Sequence, residues 1–185
     1  MALKATVVKA DLQISDLDRH YYANHALTLA QHPSETDQRL MVRLLAFALF
    51  ADERLQFGKG LSTEEEPDLW RRGYTGEIEQ WIDLGQPDES RIRKACGRAR
   101  DVVVITYGGR ASDLWWEKNA AALARHRNLT VLDIATDTVE ALVGLMVRSM
   151  RLNVMVQDGE LQLIGDDLTL AIRPGVRQAA TEPVA

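Results

Sequence analysis

The sequence is poor in several features that define specialised classes of protein. Cys96 is the single cysteine among 185 residues, which excludes an internal disulfide and a structural zinc site built on cysteines. The net charge of −5 gives no basic excess. This argues against a general nucleic-acid coat protein, although an enzyme with a local basic patch remains compatible. The composition is otherwise that of an ordinary globular protein, with 46% hydrophobic residues and few aromatics.

Long apolar segments are also lacking. The longest candidate, Leu40 to Ala51, is too short to span a bilayer and contains Arg43. The first six residues do not have the apolar run of a signal peptide. We therefore expect a cytoplasmic protein that has no membrane partner. The length suits one domain, which we place at residues 1–177, followed by a flexible C-terminal tail at residues 178–185.

The pattern of apolar residues predicts an α/β fold that tends towards α+β. Val8 to Ile14 alternates apolar with polar residues, which is typical of a half-buried strand. We interpret the first thirty residues as a long β-hairpin. A helix is expected next, with Ser34 as its N-cap and its end near Arg54.

The second half of the chain alternates between strand and helix patterns. Predicted strands span residues 77–84, 102–107 and 129–134, and predicted helices span residues 89–98, 112–126 and 138–148. This alternation indicates a parallel sheet with crossover helices. Asp158-Gly159 lies between two further apolar stretches and predicts a hairpin turn.

Two carboxylates are the strongest candidates for a functional site. Asp68 follows Pro67, and Asp83 lies near the end of the predicted strand 77–84, with fourteen residues between the two aspartates. Two carboxylates from adjacent strands suit Mg²⁺, a hard cation that takes one or two protein carboxylates and keeps several waters. Each aspartate has a structural explanation too, Asp68 as a turn residue and Asp83 as a solvated residue at a strand end.

The helix predicted after this strand has a basic face. Arg91, Lys94 and Arg98 lie at i, i+3 and i+7 and therefore share one side of the helix. A basic face beside an acidic metal site is suited to phosphate chemistry, because the metal polarises the phosphoryl oxygen while a lysine stabilises the developing charge. The same face is also explained as a solvated surface, and both interpretations stay open.

Several segments of the chain resemble one known family. They are Met1 to Thr6, His32 to Thr36, Ala51 to Phe57, Glu66 to Trp70 and, above all, Trp81 to Cys96. Together they make the chain similar to the YaeQ family of small bacterial proteins, up to about Ile172. The resemblance implies a variant of the PD-(D/E)XK nuclease fold, which is a central mixed β-sheet flanked by helices.

The resemblance also implies roles for individual residues. Pro67-Asp68 resembles the PD element and Asp83 the acidic position, so both aspartates are expected to bind Mg²⁺. Gly85 stands where the motif has its lysine. Some members of that superfamily move this lysine onto the next helix, and Lys94, with Arg91 in reserve, is its expected substitute here.

Glu35 is the last candidate that the resemblance implies. It lies near the start of the first long helix and matches the acidic residue that many such nucleases contribute from that helix. The competing interpretation is a favourable negative charge at a helix N-terminus.

Two functions follow from this pattern. The first is Mg²⁺-dependent hydrolysis of a phosphodiester, without an organic cofactor. The alternative is a degenerate nuclease-like module that binds nucleic acid or a protein partner, because Gly85 occupies the lysine position. The sequence specifies neither the ligand nor the oligomeric state.

Overall fold

The computed structural model describes residues 4–60 and 64–181, and within them the fold is α+β. The strands form two mixed sheets, one of five strands and one of six. Contacts divide the chain into two compact units, each made of two segments. Unit 1 comprises Met1–Ala51 and Asp137–Arg173, and unit 2 comprises Asp52–Thr136 and Pro174–Ala185. That residues 1–177 form one domain stays a prediction, because the division into two compact units does not test it.

Unit 1 is built on the five-stranded sheet, whose strand order is β10-β9-β8-β1-β2. Its strands are β1 (Thr6–Asp16), β2 (Tyr21–Gln31), β8 (Ser149–Gln157), β9 (Glu160–Ile164) and β10 (Thr169–Ile172). β1 and β2 pair antiparallel along their whole length, which confirms the predicted N-terminal hairpin. The turn at Asp158-Gly159 between β8 and β9 is confirmed as well. The resemblance implied one central sheet, and this second sheet corrects that expectation.

The five-stranded sheet has one buried face and one open face. Along β1, Val8, Ala10, Leu12 and Ile14 are buried, while the residues between them face outward. β1 also pairs in parallel with β8, which shows the same alternation. β1 therefore pairs with β2 on one side and with β8 on the other. The additional strand stabilises the hairpin, because two strands alone are marginally stable in water.

The tip of the N-terminal hairpin is held against the turn between β8 and β9. The carboxylate of Asp18 accepts the backbone N–H groups of Asp158 at 2.8 Å and Gly159 at 2.9 Å. These two hydrogen bonds lower the pKa of Asp18 from its ordinary value, the bond from Gly159 contributing most. They join positions 140 and 141 residues apart in the sequence.

The first helix is shorter than predicted. α1 spans Asp37–Leu49, and its N-cap is Thr36, whose hydroxyl accepts the backbone N–H of Arg39 at 3.2 Å. Ser34, the predicted cap, instead hydrogen-bonds the ring of His32 at 2.6 Å. The predicted end near Arg54 is also wrong, because the chain turns at Asp52 and continues as a short strand.

Unit 2 is built on the six-stranded sheet, with strand order β11-β7-β6-β5-β4-β3. Its strands are β3 (Leu55–Phe57), β4 (Leu69–Arg72), β5 (Ile78–Leu84), β6 (Ala99–Tyr107), β7 (Leu129–Ile134) and β11 (Gly175–Gln178). The other three helices are α2 (Glu89–Arg98), α3 (Arg110–Leu123) and α4 (Thr136–Gly144). α2 and α3 belong to unit 2, whereas α4 lies almost wholly in unit 1. β5, β6 and β7 are parallel, with α2 and α3 between them in the chain, as predicted.

The core of unit 2 lies where α2 and α3 pack on this sheet. Trp81 on β5 packs with Ile92 of α2 and Leu123 of α3, and Trp115 is partly buried against the same cluster. The indole N–H of Trp115 donates to the carbonyl of Pro87 at 2.9 Å. Trp115 thus contributes to the packing of α3 against the core of unit 2. No helix among residues 4–60 and 64–181 has the length and apolarity to cross a membrane.

The end of the described chain is ordered by unit 2. β11 pairs antiparallel with β7, and the Gln178 side chain donates to the carbonyl of Leu123 at 2.9 Å. The backbone N–H of Thr181 donates to the carbonyl of Arg127 at 2.8 Å. The flexible tail expected at residues 178–185 stays a prediction, and of these residues Gln178 and Thr181 make the contacts described. Residues 182–185 lie outside the described residues.

A polar pair lies buried between β5 and β6. Gln80 and Asp101 are partners across these strands, and the Gln80 amide N–H donates to the Asp101 carboxylate at 2.8 Å. The carbonyl oxygen of Gln80 has no hydrogen-bond partner among the described residues. Burial raises the pKa of Asp101, and the bond from Gln80 offsets part of this effect.

We expect Asp101→Asn to stabilise the protein at pH 7. An asparagine removes the cost of a buried charge, and its amide can donate to the unpartnered Gln80 oxygen, a gain of about 1 kcal/mol. Because the pKa of Asp101 is raised in the folded state, the wild type loses stability relative to the variant as the pH rises above the ordinary aspartate value of 3.8. Urea unfolding at pH 3 and pH 7 measures the difference. The exposed Asp167→Asn is the control, and a variant that is less stable at pH 7 contradicts the interpretation.

Candidate functional site

Asp68 and Asp83 are placed by the antiparallel pairing of β4 with β5. Leu69 pairs with Ile82, so Asp68, one residue before β4, comes level with Asp83 near the end of β5. Both aspartates are buried, with exposed fractions of 9% and 2%. One carboxylate oxygen of Asp68 accepts the backbone N–H of Leu84 at 2.8 Å. The structure therefore brings the two predicted carboxylates to the same end of the sheet.

Arg91 of α2 reaches across to Asp83. Its Nε donates to one carboxylate oxygen at 2.8 Å and its Nη2 to the other at 3.1 Å, a two-bond geometry that matches a guanidinium to a carboxylate. The same side chain donates to the carbonyls of Glu64 at 3.0 Å and Glu66 at 2.9 Å. Arg91 is thus fixed by four hydrogen bonds, and both oxygens of Asp83 are engaged.

The charge of Arg91 is balanced by more than one acid. The hydrogen bond to Asp83 is the largest cause of its raised pKa, burial opposes that rise, and the charges of Asp83, Asp68 and Glu64 add to it. Asp68 and Asp83 therefore act on one cation. This cation is a protein guanidinium, located where the sequence predicted a metal ion.

A cavity of about 200 Å³ lies beside this pair. Lys94 and Arg98, which are exposed on α2, line it together with the buried Trp81. The guanidinium carbons of Arg91 and Arg98 lie 5.7 Å and 5.4 Å from the centre of the Trp81 ring, within the range of cation–π contacts. The predicted basic face thus divides: Arg91 points into the acidic pair, and Lys94 and Arg98 remain available to a ligand.

Acidic groups border the same cavity. Glu64, Glu65 and Asp88 contribute to its lining along with the basic residues. The cavity is therefore of mixed charge, and an anion entering it is attracted by α2 and repelled by these carboxylates. The mixture of acidic and basic residues therefore favours weak and salt-sensitive binding of an anion.

The donor set, as arranged, does not fit Mg²⁺. A magnesium ion needs free carboxylate oxygens in octahedral geometry, and both oxygens of Asp83 already accept bonds from Arg91. Within residues 4–60 and 64–181, no three His, Cys, Asp or Glu side chains come together as a possible metal site. The guanidinium supplies the positive charge that a metal would bring.

Gly85 shows why the expected lysine is absent from β5. Its φ angle is 89°, in the left-handed region that side chains with a Cβ rarely adopt. Its backbone N–H donates to the carbonyl of Ile105 at 2.9 Å, which fixes this turn against β6. A lysine here would be strained, so any basic group must come from α2.

Glu35 lies in unit 1, where its partner is Arg43 of α1. Arg43 Nε and Nη2 donate to the two carboxylate oxygens at 2.8 Å and 2.9 Å, and Nη2 also donates to the carbonyl of Ala30 at 3.0 Å. Both side chains of the ion pair are buried. The first residue of α1 is Asp37, so the acid in the first helical turn is Asp37 and Glu35 precedes the helix.

Glu79 belongs to an ion network that the sequence did not reveal. Arg54 donates to both of its carboxylate oxygens at 3.0 Å, and Arg71 donates to one of them at 2.9 Å. These bonds lower the pKa of Glu79, the one from Arg54 contributing most. No spacing signal could have found this network, because its members come from three separate stretches of the chain.

The thiol of Cys96 is unreactive at neutral pH. Burial, with a smaller contribution from the charge of Asp101, raises the pKa of its thiol to about 12. At neutral pH the thiolate that acts as a nucleophile is therefore nearly absent.

Most of the chain matches a known protein family. The family model described as YaeQ protein covers residues 1–174 of the chain. Two similar sequences carry the description "Uncharacterized protein YaeQ". The one from Salmonella typhi is 47% identical over 163 residues, covering 88% of this chain and 90% of that protein. The one from Escherichia coli strain K12 is 43% identical over 172 residues, covering 93% and 95%.

Two solved structures are similar to the whole fold. The crystal structure of YaeQ protein from Xanthomonas axonopodis pv. citri is 63% identical, with a TM-score of 0.92, and the match covers 95% of this chain and 99% of that one. The crystal structure of YaeQ protein from Pseudomonas syringae is 31% identical, with a TM-score of 0.91 and coverage of 96% and 98%.

Proposed function

The chain belongs to the YaeQ family, and from the geometry of the site we propose that unit 2 binds the phosphodiester backbone of nucleic acid without cleaving it. Arg91 takes the place that a metal ion would have in an active nuclease. Lys94 and Arg98, exposed beside it, contact the phosphates.

The ion pair between Arg91 and Asp83 is the observation that carries this proposal. Four hydrogen bonds hold the guanidinium, and the Asp83 carboxylate has an exposed fraction of only 3%. This pair is costly to break, because the Asp83 carboxylate alone would be a buried charge without compensation. Both oxygens of Asp83 are therefore committed to Arg91, and Asp83 is not poised to activate a water molecule.

Lys94 and Arg98 supply the charge for binding. They border the cavity above Trp81, and each can neutralise one phosphate and release its condensed counterion. The acidic residues of the same cavity oppose a polyanion, so the expected affinity is that of non-specific binding, with dissociation constants of about 10⁻⁴ to 10⁻⁶ M.

A relation to the PD-(D/E)XK nucleases supports the choice of ligand. The parallel strands β5 and β6, with an aspartate at the end of β5 and another before β4, are consistent with that fold family. In this proposal unit 2 retains the phosphate-facing surface of such a nuclease, and the catalytic chemistry is lost.

Mg²⁺-dependent hydrolysis is the second candidate. The observation in its favour is that Asp68 and Asp83 both act on one cation, Arg91. This version requires Arg91 to leave Asp83 before a metal can bind. Cleavage of single-stranded DNA or RNA by the wild type in Mg²⁺ or Mn²⁺, abolished in Asp83→Ala, would establish it and refute the binding-only proposal.

We expect Lys94→Ala and Arg98→Ala to weaken binding of a fluorescent single-stranded oligonucleotide. Each substitution removes one phosphate contact, so the slope of log K against log salt should become shallower by about 0.7 per substitution. Fluorescence anisotropy between 20 and about 200 mM salt measures this slope.

Arg93→Ala is the matched control for these two variants. Arg93 lies on the same helix, is exposed, does not line the cavity and has only a 3.7 Å ion pair with Glu89. Its removal changes the net charge by the same amount but should leave the salt slope as in the wild type. Equal effects of all three substitutions would mean that binding responds to net charge alone, and the proposed site would be wrong.

A further inference from the structure

The open face of the five-stranded sheet in unit 1 carries a second candidate site, independent of the proposed function of unit 2. A cavity of about 530 Å³ lies over β1, β2 and β8 and reaches the end of β9. A volume in this range is typical of sites for small organic ligands. A second cavity of about 280 Å³ lies over β8 and β9.

The two cavities follow one another along the same strands. Asn153 of β8 lines the first and Met155 the second, and these are consecutive outward-facing residues. On β9, Ile164 lines the first cavity and Gln162 lines the second. From Arg151 to Gln157 the outward face of β8 extends about 20 Å at the usual rise per residue. The face therefore offers an elongated trough suited to a chain-like ligand.

Amide side chains form the floor of the larger cavity. Gln13 pairs with Asn24 on one side and with Asn153 on the other, so the three amides lie in one row across β2, β1 and β8. None of the three side chains makes a hydrogen bond within the described part of the chain. An amide donates and accepts at once, which matches the dual character of a hydroxyl group.

The next row places opposite charges beside these amides. Asp11 and Arg151 are partners across β1 and β8 and both line the cavity. They form no ion pair with each other or with other described residues. A carboxylate and a guanidinium held side by side can accept from and donate to neighbouring hydroxyls of one ligand.

The charge balance of the trough decides between ligand classes. Its charged residues are four acids and two arginines: Asp11, Asp158, Glu160 and Asp166, with Arg151 and Arg173. The acidic excess disfavours a polyanion such as nucleic acid. A bound peptide strand would need pockets for apolar side chains. The other apolar lining residues do not offer them, because Leu12 and Leu152 are buried and Ala26 is small, which leaves Met155 and Ile164.

We propose that this face binds a neutral oligosaccharide. The row of Gln13, Asn24 and Asn153 bonds the ligand's hydroxyl groups. Asp11 and Arg151 fix its orientation. Met155, which lines the second cavity further along β8, packs on the less polar face of a sugar ring.

The test is a titration of the full-length ¹⁵N-labelled chain, observed through the side-chain NH₂ signals of Asn and Gln. Maltohexaose, cellohexaose and chitohexaose are the probes. The expected result is that at least one of them shifts the signals of Gln13, Asn24 and Asn153 to saturation. Gln13→Ala and Asn153→Ala should each weaken that binding at least tenfold.

Thr28→Ala is the control, since Thr28 is exposed on the neighbouring β2 but lines neither cavity. It should bind like the wild type, and all variants should keep the wild-type melting temperature. If none of the three saccharides shifts the amide signals, or if an extended peptide or a thymidine oligomer shifts them instead, the proposal is overturned. Signals of unit 2, such as the indole N–H of Trp81, report separately on the nucleic-acid proposal.

Discussion

Replacing Arg91 with alanine should turn the aspartate pair into a metal site. The substitution frees both oxygens of Asp83, and Asp68 lies at the same end of the sheet. Two carboxylates without a compensating charge favour a hard divalent cation, and we expect Mn²⁺ to bind with a dissociation constant of about 1 mM, typical of a weak oxygen site. The wild type should not bind Mn²⁺ measurably at this concentration. Isothermal titration calorimetry compares the two.

Two further variants make this result specific. Arg91→Ala combined with Asp83→Ala should lose Mn²⁺ binding, because one carboxylate alone holds the ion poorly. Arg93→Ala removes an exposed arginine of the same helix and should behave as the wild type. Equal Mn²⁺ binding by the wild type and Arg91→Ala would show that Arg91 does not occupy the metal position, and the binding-only proposal would lose its basis.

Arg43→Met should strongly destabilise the protein. It leaves the Glu35 carboxylate buried without its cation and removes the donor to the carbonyl of Ala30. Both side chains of the pair are almost fully buried, with exposed fractions of 7% and 4%. Breaking a buried pair by removing one partner costs about 3–5 kcal/mol of the free energy of unfolding. Guanidinium unfolding followed by circular dichroism at pH 7 measures this loss.

The double variant Glu35→Leu with Arg43→Met distinguishes two causes of lost stability, the uncompensated buried charge and the lost packing of the Arg43 side chain. Replacing both partners by apolar groups removes the buried charge, so most of the lost stability should return. Gln38→Ala, an exposed change on the same helix, should alter stability by less than about 0.5 kcal/mol. A double variant as unstable as Arg43→Met would mean that the ion pair is not the source of the effect.

The parts of the fold that the sequence predicted are those with a strong local pattern of apolar residues. β5, α2, β6, α3 and β7 follow each other with short connections. β6 shows as a continuous apolar run from Val102 to Ile105, which is typical of a strand buried on both faces. The hairpin of β1 and β2 was predictable from the alternation along β1. α2 and β7 were predicted with the bounds that the structure shows.

The missed elements are short or depend on distant partners. β3 has three residues and β4 has four, too few for a period to appear. β11 forms because β7 offers an edge, and nothing in its own four residues indicates a strand. The early end of α1 results from the turn at Asp52, where an apolar stripe at Ala51 suggested that the helix continues.

In the candidate site, too, the contacts that depend on residues distant in the sequence could not be predicted. The sequence placed Asp68, Asp83, Lys94 and Arg91 in one neighbourhood, and the structure brings them together in unit 2. Which basic residue of α2 binds the aspartates could not be predicted. The spacing of the basic residues along the helix does not tell which side chain points towards Asp83. Arg91 does so because the carbonyls of Glu64 and Glu66 offer its guanidinium two further acceptors.

The parallel pairing of β1 with β8 has a consequence for the order in which the protein forms. During synthesis the N-terminal hairpin emerges first, but β8, its neighbour in the sheet, is made only after all of unit 2's first segment. Pairing strands so distant in sequence is slow, because a long loop must close before any contact forms. Until then the backbone edge of β1 that pairs with β8 has no partner strand. A nascent chain paused before β8 would therefore expose an unpaired strand edge to chaperones and to other copies of itself.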